Sequence, residues 1–261
     1  SKPIGANVRS TVATYDGVFD DLRKLFARTA DAKAKGLTAG DFSYNTGKLR
    51  CPVCDGTGII TMDVQFLPDV DTICPSCGGS RYGKDAYDIL WKSKEKDSVS
   101  VSLPGLLKLT VEEAAGILHE ETKIAKQLKI LQDLGVCYLT LGEATPALSG
   151  GEAQRLKLAY EMETPQQGSV FVFDEPTIGL HPQDVKKLVL IFDHLIQLGA
   201  TVIVIEHDLE LVTNCDYIID MGPWGGTEGG RVVVEGTPEA VAATSESITG
   251  RYLKQELAED K

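Results

Sequence analysis

Two acidic residues at the end of an apolar run are the first candidates for chemistry in this sequence. Asp174 and Glu175 directly follow Ser169 to Phe173 and precede Pro176. An apolar strand that ends in two carboxylates suits a magnesium–nucleotide site, with one carboxylate for the metal and one for the attacking water. The alternative is structural: the two acids form only a strand-end turn, which Pro176 stabilises.

A second apolar run leads to a histidine. Thr201 to Ile205 is apolar and rich in β-branched residues, and Glu206 and His207 follow it. Because neighbouring parallel strands end at the same edge of a sheet, we expect His207 to lie at the edge that carries Glu175. A lone histidine is more often structural, and its position just after a strand is what favours a role at this site.

A turn of small residues predicts a phosphate site. A Ser-Gly-Gly turn that opens a helix offers free backbone amides and the positive end of the helix dipole to an anion. The candidate binding residues are Ser149, Gly150, Gly151, Glu152 and Gln154. Ser149 also suits the N-cap position, where Glu152 completes a capping box, and the two roles are compatible.

Four cysteines have the spacing of a zinc site. Cys51 and Cys54 form one Cys-x-x-Cys knuckle and Cys74 and Cys77 form a second, with 19 residues between them. Four thiolates hold zinc tetrahedrally and leave no open position for chemistry, so we predict a structural metal. A pair of reversible redox dithiols is the competing interpretation, although nothing near the knuckles resembles a thioredoxin unit.

Glycines follow each knuckle, where they permit a positive-φ turn that aims backbone amides at the sulfurs. Ile59 to Phe66 predicts a strand and Leu67 to Asp69 a reversal of the chain, so the knuckles are expected to clasp a hairpin. The repeated Cys-x-x-Cys-x-Gly pattern also resembles DnaJ-type co-chaperones, but those have more knuckles and no ATPase motif after them.

Helices and buried strands must position these residues. Apolar spacing predicts helices at Gly17–Arg28, Lys123–Leu134, Glu152–Glu163 and Gln183–Leu198, and a capping box predicts a short helix after Thr110. Strands are predicted at Val170–Phe173, Val202–Ile205, Tyr217–Met221 and Val232–Glu235. Alternation of helix and strand after Leu148 indicates an α/β fold, with a mostly parallel sheet covered by helices on both faces.

Charge is distributed unevenly along the 261 residues. Residues 1–110 carry 15 Lys and Arg against 13 Asp and Glu, a net charge of +2, and residues 111–261 carry 11 against 25, a net charge of −14, which together give −12. The acidic total argues against non-specific DNA binding by the whole surface. No apolar run approaches the ~20 residues that span a bilayer, and the sequence shows no signal-peptide pattern, so we expect no membrane association and a cytoplasmic protein.

In their order along the chain, the three candidate segments resemble the signature, Walker B and switch-histidine motifs of ABC-type ATPases. The amino-acid sequence of the signature segment, Leu148 to Gln154, resembles that found in the UvrA family of excinuclease proteins. Further stretches resemble the second half of that family, and the likeness runs from Pro3 to about Leu253. These stretches are Pro3–Gly5, Arg9–Tyr15, Gly17–Phe19, Asp41–Asn45 and Phe66–Asp69.

The resemblance implies an ATPase of nucleotide excision repair that uses ATP with Mg²⁺ and structural Zn²⁺. By resemblance, Asp174 holds magnesium through water, Glu175 polarises the attacking water and His207 contacts the γ-phosphate. In ABC-type pairs the signature of one unit closes over nucleotide held by the other. The implied partners are a second copy of the complete protein, damaged duplex DNA and the partner helicase of the excinuclease.

One element of such a site is missing from the sequence, because no Gly-x-x-x-x-Gly-Lys-Ser/Thr phosphate loop occurs in it. Since the chain begins at Ser1 within polar loop sequence, we expect a piece whose phosphate (Walker A) loop lies upstream, and we expect the piece alone to be inactive. The alternative is a natural protein that lacks this loop. For the function, the alternative is a UvrA-like paralogue that protects against DNA-binding drugs. The nucleotide-binding component of a transporter or a chaperone-type binding module fits less well.

Four segments follow from these motifs. We predict a lid-loop and helical segment of the ATPase domain at 1–47, a zinc-binding module at 48–84, a connecting helical region at 85–147 and the ABC ATPase core at 148–261. A zinc-clasped hairpin would bring together, at the base of the hairpin, the basic residues that flank the knuckles. There they are candidates for DNA binding. These residues are Lys48, Arg50, Arg81 and Lys84.

Overall fold

The structure is a computed structural model that describes residues 7–62, 70–94, 99–162, 167–224 and 229–259. The chain divides into two compact units, Ser1–Thr164 and Pro165–Lys261. The predicted segment 148–261 is therefore shared between the two units. The hairpin turn predicted at Leu67 to Asp69 and the predicted family-like stretch at Pro3 to Gly5 lie outside the described residues.

The first unit is mainly helical, with two small antiparallel strand pairs. Its helices are α1 (Val12–Tyr15), α2 (Val18–Ala27), α3 (Ala30–Ala34), α4 (Leu103–Leu106), α5 (Val111–Ile117), α6 (Thr122–Asp133) and α7 (Gly150–Glu161). Its strands are β1 (Ile59–Met62), β2 (Val70–Ile73), β3 (Leu90–Lys92) and β4 (Ser100–Ser102). Short 3₁₀ helices lie at Lys84–Asp88 and Thr145–Ala147.

Helix boundaries in this unit agree with the local sequence. Thr110 caps α5, accepting a bond from the Glu113 backbone N–H, while the Glu113 side chain accepts one from the Thr110 backbone N–H, as the capping box predicts. The apolar face of α2, which includes Leu22 and Phe26, is buried, and α2 packs against α6, whose inward residues include Leu128. This face forms because the apolar residues recur every three or four positions.

The cysteine hairpin stands on a buried aromatic base. Strands β1 and β2 pair antiparallel from Ile59 opposite Ile73, and an isolated antiparallel bridge joins Arg50 to Tyr82 below them. The Tyr82 hydroxyl donates to the Phe42 carbonyl at 2.6 Å. Tyr82 and Tyr44 are almost fully buried and meet edge to face, with ring centroids 6.1 Å apart.

The second unit has two strand pairs and four helices among its described residues. The strands are β5 (Val170–Asp174), β6 (Thr201–Ile205), β7 (Ile218–Gly222) and β8 (Arg231–Gly236). The helices are α8 (Pro182–Gln197), α9 (Leu209–Thr213), α10 (Pro238–Ala242) and α11 (Ile248–Glu259). Phe173 packs on Phe192 of α8 with ring centroids 4.8 Å apart, so α8 covers one side of β5.

The prediction of a mostly parallel sheet is correct only in part. β5 and β6 are parallel, whereas β7 and β8 are antiparallel. The physical reason is the connection, since only eight residues separate Gly222 from Arg231 and a parallel crossover needs about a dozen or more. β5 is not covered by helices on both faces among the described residues, because Val170 and Val172 are each 61% exposed on its side away from Phe173.

The predicted elements themselves occur close to their expected positions. Predicted helix Gly17–Arg28 is observed as α2, Lys123–Leu134 as α6, and strand Val202–Ile205 as β6, each within one residue at either end. The helix predicted at Glu152–Glu163 begins two residues earlier, at Gly150. Across the described residues, no helix combines the length and the apolar character needed to cross a membrane.

Candidate functional site

Parallel pairing of β5 and β6 brings the two acidic strand ends together. Asp174, the last residue of β5, lies opposite Ile205, the last residue of β6. The pairing continues one residue further, because the Glu175 backbone N–H donates to the Ile205 carbonyl at 2.9 Å. The chemistry-bearing residues after both strands therefore meet at one edge, as the sequence predicts.

Glu175 and His207 face each other across this edge. The His207 Nε2 atom lies 3.8 Å from Glu175 Oε1, and the two side chains are 85% and 44% exposed. Glu175 has φ +47°, in the left-handed region that costs a residue with a side chain about 1–3 kcal/mol. Such a backbone is retained where its surroundings hold it, and here the Glu175 carboxylate lies beside the His207 imidazole.

Glu206 is the residue at this site whose role sequence reasoning missed. Its Oε1 accepts a 2.8 Å hydrogen bond from the Thr177 N–H and a second bond from the Thr177 hydroxyl, while its Oε2 accepts from the N–H groups of His207 at 2.7 Å and Asp208 at 3.2 Å. Glu206 thus ties the segment after β5 to the segment after β6. The signal in the sequence was an acid adjacent to the candidate histidine.

These hydrogen bonds set the ionisation of Glu206. Partial burial is the largest single influence and acts to raise the pKa of the Glu206 carboxyl, but the bonds from Thr177, His207 and Asp208 together outweigh it and hold the pKa below its ordinary value. The carboxylate is therefore charged at neutral pH and keeps its four acceptor contacts.

The signature segment forms the predicted capped helix start. Ser149 Oγ accepts from the Glu152 N–H at 3.4 Å, and Glu152 Oε2 accepts from the Ser149 N–H at 2.7 Å. Glu152 is also held by Tyr138, whose hydroxyl donates to Glu152 Oε1 at 2.7 Å. Burial alone would raise the pKa of Glu152, but the bonds from Tyr138 and Ser149 lower it.

The first turn of α7 is open on the outside. Ser149 and Gly150 are exposed, and a Cβ added to Gly150 would meet nothing within 4 Å. The Gln154 Oε1 atom is buried without a hydrogen-bond partner among the described residues. The structure therefore places Ser149, Gly150, Gly151, Glu152 and Gln154 on one short stretch of α7 and its cap. Free amides at an open helix start suit an anion.

The four predicted metal ligands form one cluster. The sulfur atoms of Cys51, Cys54, Cys74 and Cys77 all lie within 4.8 Å of one another, and those of Cys54 and Cys77 are 3.7 Å apart. Zinc–sulfur bonds of about 2.3 Å in a tetrahedron separate the sulfurs by about 3.8 Å, so the cluster fits a structural zinc ion. Three of the four cysteines are buried, as a closed site requires.

Backbone amides support the thiolates of this cluster. The Gly58 N–H donates to Cys54 Sγ at 3.3 Å, and Gly58 adopts φ +81°, as predicted for the glycines after the knuckles. Burial works against the charged form of Cys51, yet amide bonds from Cys54 and Val53 lower its pKa to about 7. For Cys77, burial dominates and raises the pKa to about 12.

Three of the basic residues near the hairpin base are at the surface. Lys48 Nζ lies 3.5 Å from Asp41 Oδ1 with its side chain 78% exposed, and Arg50 Nη2 lies 3.1 Å from Asp55 Oδ1 with its side chain 38% exposed. Lys84 is exposed at the start of a 3₁₀ helix. The flanks of the knuckles do pair, since the Gly83 N–H donates to the Leu49 carbonyl at 2.9 Å.

Arg81 differs from these three because it is interior. It is 6% exposed, its Nη1 donates to the Val8 carbonyl at 2.8 Å, and its guanidinium lies 5.2 Å from the ring centre of Tyr44. Burial lowers the pKa of Arg81 from its ordinary value. Arg81 therefore holds the residues after the second knuckle against Val8 and Tyr44. Its charge is not at the surface.

The chain is similar to UvrABC system proteins over almost its whole length. It is 45% identical over 260 residues to UvrABC system protein A of Staphylococcus aureus and 44% identical over 260 residues to that of Bacillus subtilis. In both comparisons 99% of this chain is aligned, and the chain spans 27% and 26% of those proteins. No family model matches the chain.

A solved structure gives the same answer for the fold. The crystal structure of UvrA2 from Deinococcus radiodurans superposes with a TM-score of 0.81 at 42% sequence identity, covering 97% of this chain and 30% of that one. The cysteine cluster, the acidic strand ends and the capped signature helix all lie within the aligned length. By sequence and by structure, the chain belongs to the UvrA family and corresponds to about a quarter of a UvrABC system protein A.

Proposed function

We propose that the complete protein is the damage-recognition ATPase of nucleotide excision repair and that this chain carries half of each of two nucleotide sites. The observation that carries the proposal is the meeting of Glu175 and His207 at 3.8 Å on the edge where β5 and β6 end. A carboxylate and an imidazole beside an exposed acid, Asp174, suit nucleotide hydrolysis with magnesium.

Each of these residues has a separate task. Asp174, at the strand end, would hold magnesium, which would supply positive charge to neutralise the phosphates. Glu175 accepts a hydrogen bond from the attacking water and orients it toward the terminal phosphate. His207 contacts that phosphate, and its segment changes position when the phosphate leaves. Glu206 keeps the two segments in register through its bonds to Thr177 and His207.

The signature serves a second nucleotide site. Gly150 and Gly151 offer free amides at the start of α7, beside the Ser149 cap, and Glu152 and Gln154 follow in the same helix. These residues close over nucleotide that the other ATPase half holds with its phosphate loop. Hydrolysis therefore needs both the segment that carries the phosphate loop and the other ATPase half. We also propose that the complete protein works as a homodimer.

The cysteine cluster has a structural task. Zinc bound by Cys51, Cys54, Cys74 and Cys77 leaves no ligand position for a substrate. It fixes the start of β1 relative to the end of β2 and keeps the knuckle flanks paired at the base. Lys48, Arg50 and Lys84 at that base are proposed contacts for the phosphates of damaged duplex DNA, which the partner helicase then receives.

Rescue of ultraviolet survival tests the proposal directly. The complete gene is introduced into a bacterium that lacks its own UvrABC system protein A, beside the Glu175→Gln variant and the matched surface control Glu235→Gln. The expected result is that wild type and Glu235→Gln restore survival and Glu175→Gln does not. Failure of the wild type to restore survival, with resistance to a DNA-binding drug gained instead, would favour the drug-resistance paralogue.

A further inference from the structure

A tyrosine outside the signature segment bonds to the acid of its capping box. Tyr138 lies 14 residues before Glu152, and its hydroxyl donates to Glu152 Oε1 at 2.7 Å. The other carboxylate oxygen, Oε2, accepts from the Ser149 N–H at 2.7 Å. A capping box by itself needs only the second of these bonds, because its acid reaches back to the N-cap amide. The bond from Tyr138 is therefore an addition to the local motif, and it fixes the remaining oxygen of the carboxylate.

The backbone on either side of Tyr138 is held against the start of α5. The Cys137 carbonyl accepts from the Glu112 N–H at 3.1 Å, and the Leu139 carbonyl accepts from the Val111 N–H at 2.9 Å. The Leu139 side chain is buried, so it anchors this segment in the core of the first unit, whereas Tyr138 itself is 53% exposed. The Tyr138 ring thus contributes little to the core, and its position supplies a hydroxyl at a fixed place.

The Tyr138 hydroxyl is a donor at neutral pH. Partial burial is the largest influence on the pKa of Tyr138 and raises it, and the bond to the Glu152 carboxylate raises it further. Burial also acts to raise the pKa of Glu152, but the bonds from Tyr138 and Ser149 lower it overall. The pair therefore consists of a neutral phenol and a charged carboxylate, and a hydrogen bond to a charged group is roughly twice as strong as one between neutral groups.

The capping box decides which amides at the start of α7 are left for a ligand. The N–H groups of Ser149 and Glu152 are occupied by the two reciprocal bonds of the box. The N–H groups of Gly150 and Gly151 lie between them, and the first N–H groups of a helix have no partner inside it. The direction of these two amides therefore depends on how firmly the capping box is closed.

We propose that Tyr138 is a positioning residue for the second nucleotide site: its hydroxyl fixes the Glu152 carboxylate in the capping box and so holds the Gly150 and Gly151 amides in the direction that meets phosphate. The inference rests on the function proposed above, in which the signature closes over nucleotide held by the other ATPase half. Tyr138 does not touch the nucleotide and acts through Glu152. Without its hydroxyl the capping box still forms, but one carboxylate oxygen is released and the box opens more often.

Hydrogen exchange in the complete protein tests whether Tyr138 holds the signature. Tyr138→Phe removes the hydroxyl and keeps the ring, and Tyr252→Phe is the matched control because Tyr252 on α11 is exposed to a similar degree. Exchange of the Ser149 and Glu152 amides, followed by mass spectrometry, should be roughly tenfold faster in Tyr138→Phe, as expected for loss of a hydrogen bond to a charged group, and unchanged in Tyr252→Phe. Equal exchange in wild type and Tyr138→Phe would overturn the proposal.

Hydrolysis tests whether this contact serves the nucleotide site. Glu175→Gln is the background, because it slows the site beside β5 and leaves the site over which this signature closes. In that background, Tyr138→Phe should lower kcat by roughly tenfold and leave nucleotide affinity unchanged, since the phosphate loop of the other half holds the nucleotide. An unchanged kcat, or equal losses of kcat and affinity, would overturn the positioning role.

Failure of the proposed function gives a different result. A wild-type protein that hydrolyses no ATP, or one whose hydrolysis Glu175→Gln does not slow, would contradict the proposed function. The exchange measurement needs no hydrolysis, so it would still decide whether Tyr138 holds the start of α7.

Discussion

The Glu206 carboxylate accepts the backbone N–H of Thr177 at 2.8 Å, and this contact joins two segments 29 residues apart in the sequence. Thr177 follows the acidic end of β5, and Glu206 follows β6. One carboxylate thus holds the strand-end acids and the histidine segment as a single unit. Three of its four hydrogen-bond partners are backbone N–H groups, which can only donate, so the position requires an acceptor.

Glu206→Gln should slow ATP hydrolysis by the complete protein while nucleotide still binds. An amide has one acceptor oxygen and an NH₂ group that cannot accept from the His207 or Asp208 N–H, so the histidine segment loosens. Single-turnover hydrolysis and nucleotide affinity are measured separately. A parallel loss of both quantities would show that Glu206 acts in binding.

The same variant should reveal a pH dependence of stability. The folded-state pKa of Glu206 lies below its ordinary value of 4.5. Its charged form therefore stabilises the fold above pH 4.5, and this contribution is lost as the pH falls through the folded-state pKa. The difference in thermal midpoint between wild type and Glu206→Gln should shrink below about pH 4.5. A difference that stays constant down to strongly acidic pH would mean that Glu206 titrates normally.

Glu175→Gln should leave nucleotide binding intact and lower the hydrolysis rate at its site by about 10²- to 10⁴-fold, the usual contribution of a general base. The amide keeps the shape of the carboxylate and loses its proton affinity. Glu235→Gln on exposed β8 is the matched control and should hydrolyse normally. Single-turnover measurements make the comparison. If nucleotide affinity and hydrolysis fall together, Glu175 is structural.

The chain should bind about one zinc ion through its four clustered cysteines. The double variant Cys51→Ser, Cys74→Ser removes one ligand from each knuckle and should abolish stoichiometric metal. Zinc content is measured by elemental analysis of the purified protein. Cys215→Ser is the control, because its thiol bonds to the Val212 carbonyl at 2.9 Å in the other unit. Metal that persists in the double variant would place the ligands elsewhere.

Charge reversal at Lys48, Arg50 and Lys84 in the complete protein should weaken duplex binding. Each lost phosphate contact should reduce the slope of log affinity against log salt by about 0.9. Titrations at several salt concentrations measure this. An unchanged slope would mean that the hairpin base positions other parts of the protein and does not bind DNA.

Arg81→Met should behave differently from these surface variants. It removes the donor to the Val8 carbonyl and the contact with Tyr44, so it should lower the free energy of unfolding by about 1–3 kcal/mol. At temperatures where the variant is folded, the salt slope of DNA binding should stay that of wild type. Denaturant unfolding beside the salt titration separates the two effects.

Local patterns predicted the segments of the candidate site because each segment is short and has strict requirements. The capping box at Ser149, the two knuckles and the strand-end acids each depend on a few neighbouring residues. The mostly parallel sheet was predicted only in part, because β7 and β8 pair antiparallel, although the short connection between them contained the information. Length of connection decides pairing direction more firmly than alternation of elements does.

The features that local patterns did not predict depend on contacts between residues far apart in the sequence. Arg81 is charged and adjacent to a knuckle, so its sequence position suggested the surface, but Tyr44 and the Val8 carbonyl hold it inside. Thr177 and Glu206 are likewise far apart in sequence, and only the parallel pairing of β5 and β6 brings them into contact. Neither partner carries a local signal for the other.

The two buried tyrosines beneath the cysteine hairpin have a mechanical consequence. Tyr44 and Tyr82 each donate a hydroxyl hydrogen bond to a backbone carbonyl, at 3.1 Å and 2.6 Å, so the base resists bending. The four residues of β1 rise about 13 Å above that base. A tilt of the base by about 10° therefore carries the far end of β1 through about 2 Å, and β1 acts as a lever that converts small rotations of the base into displacement at Met62.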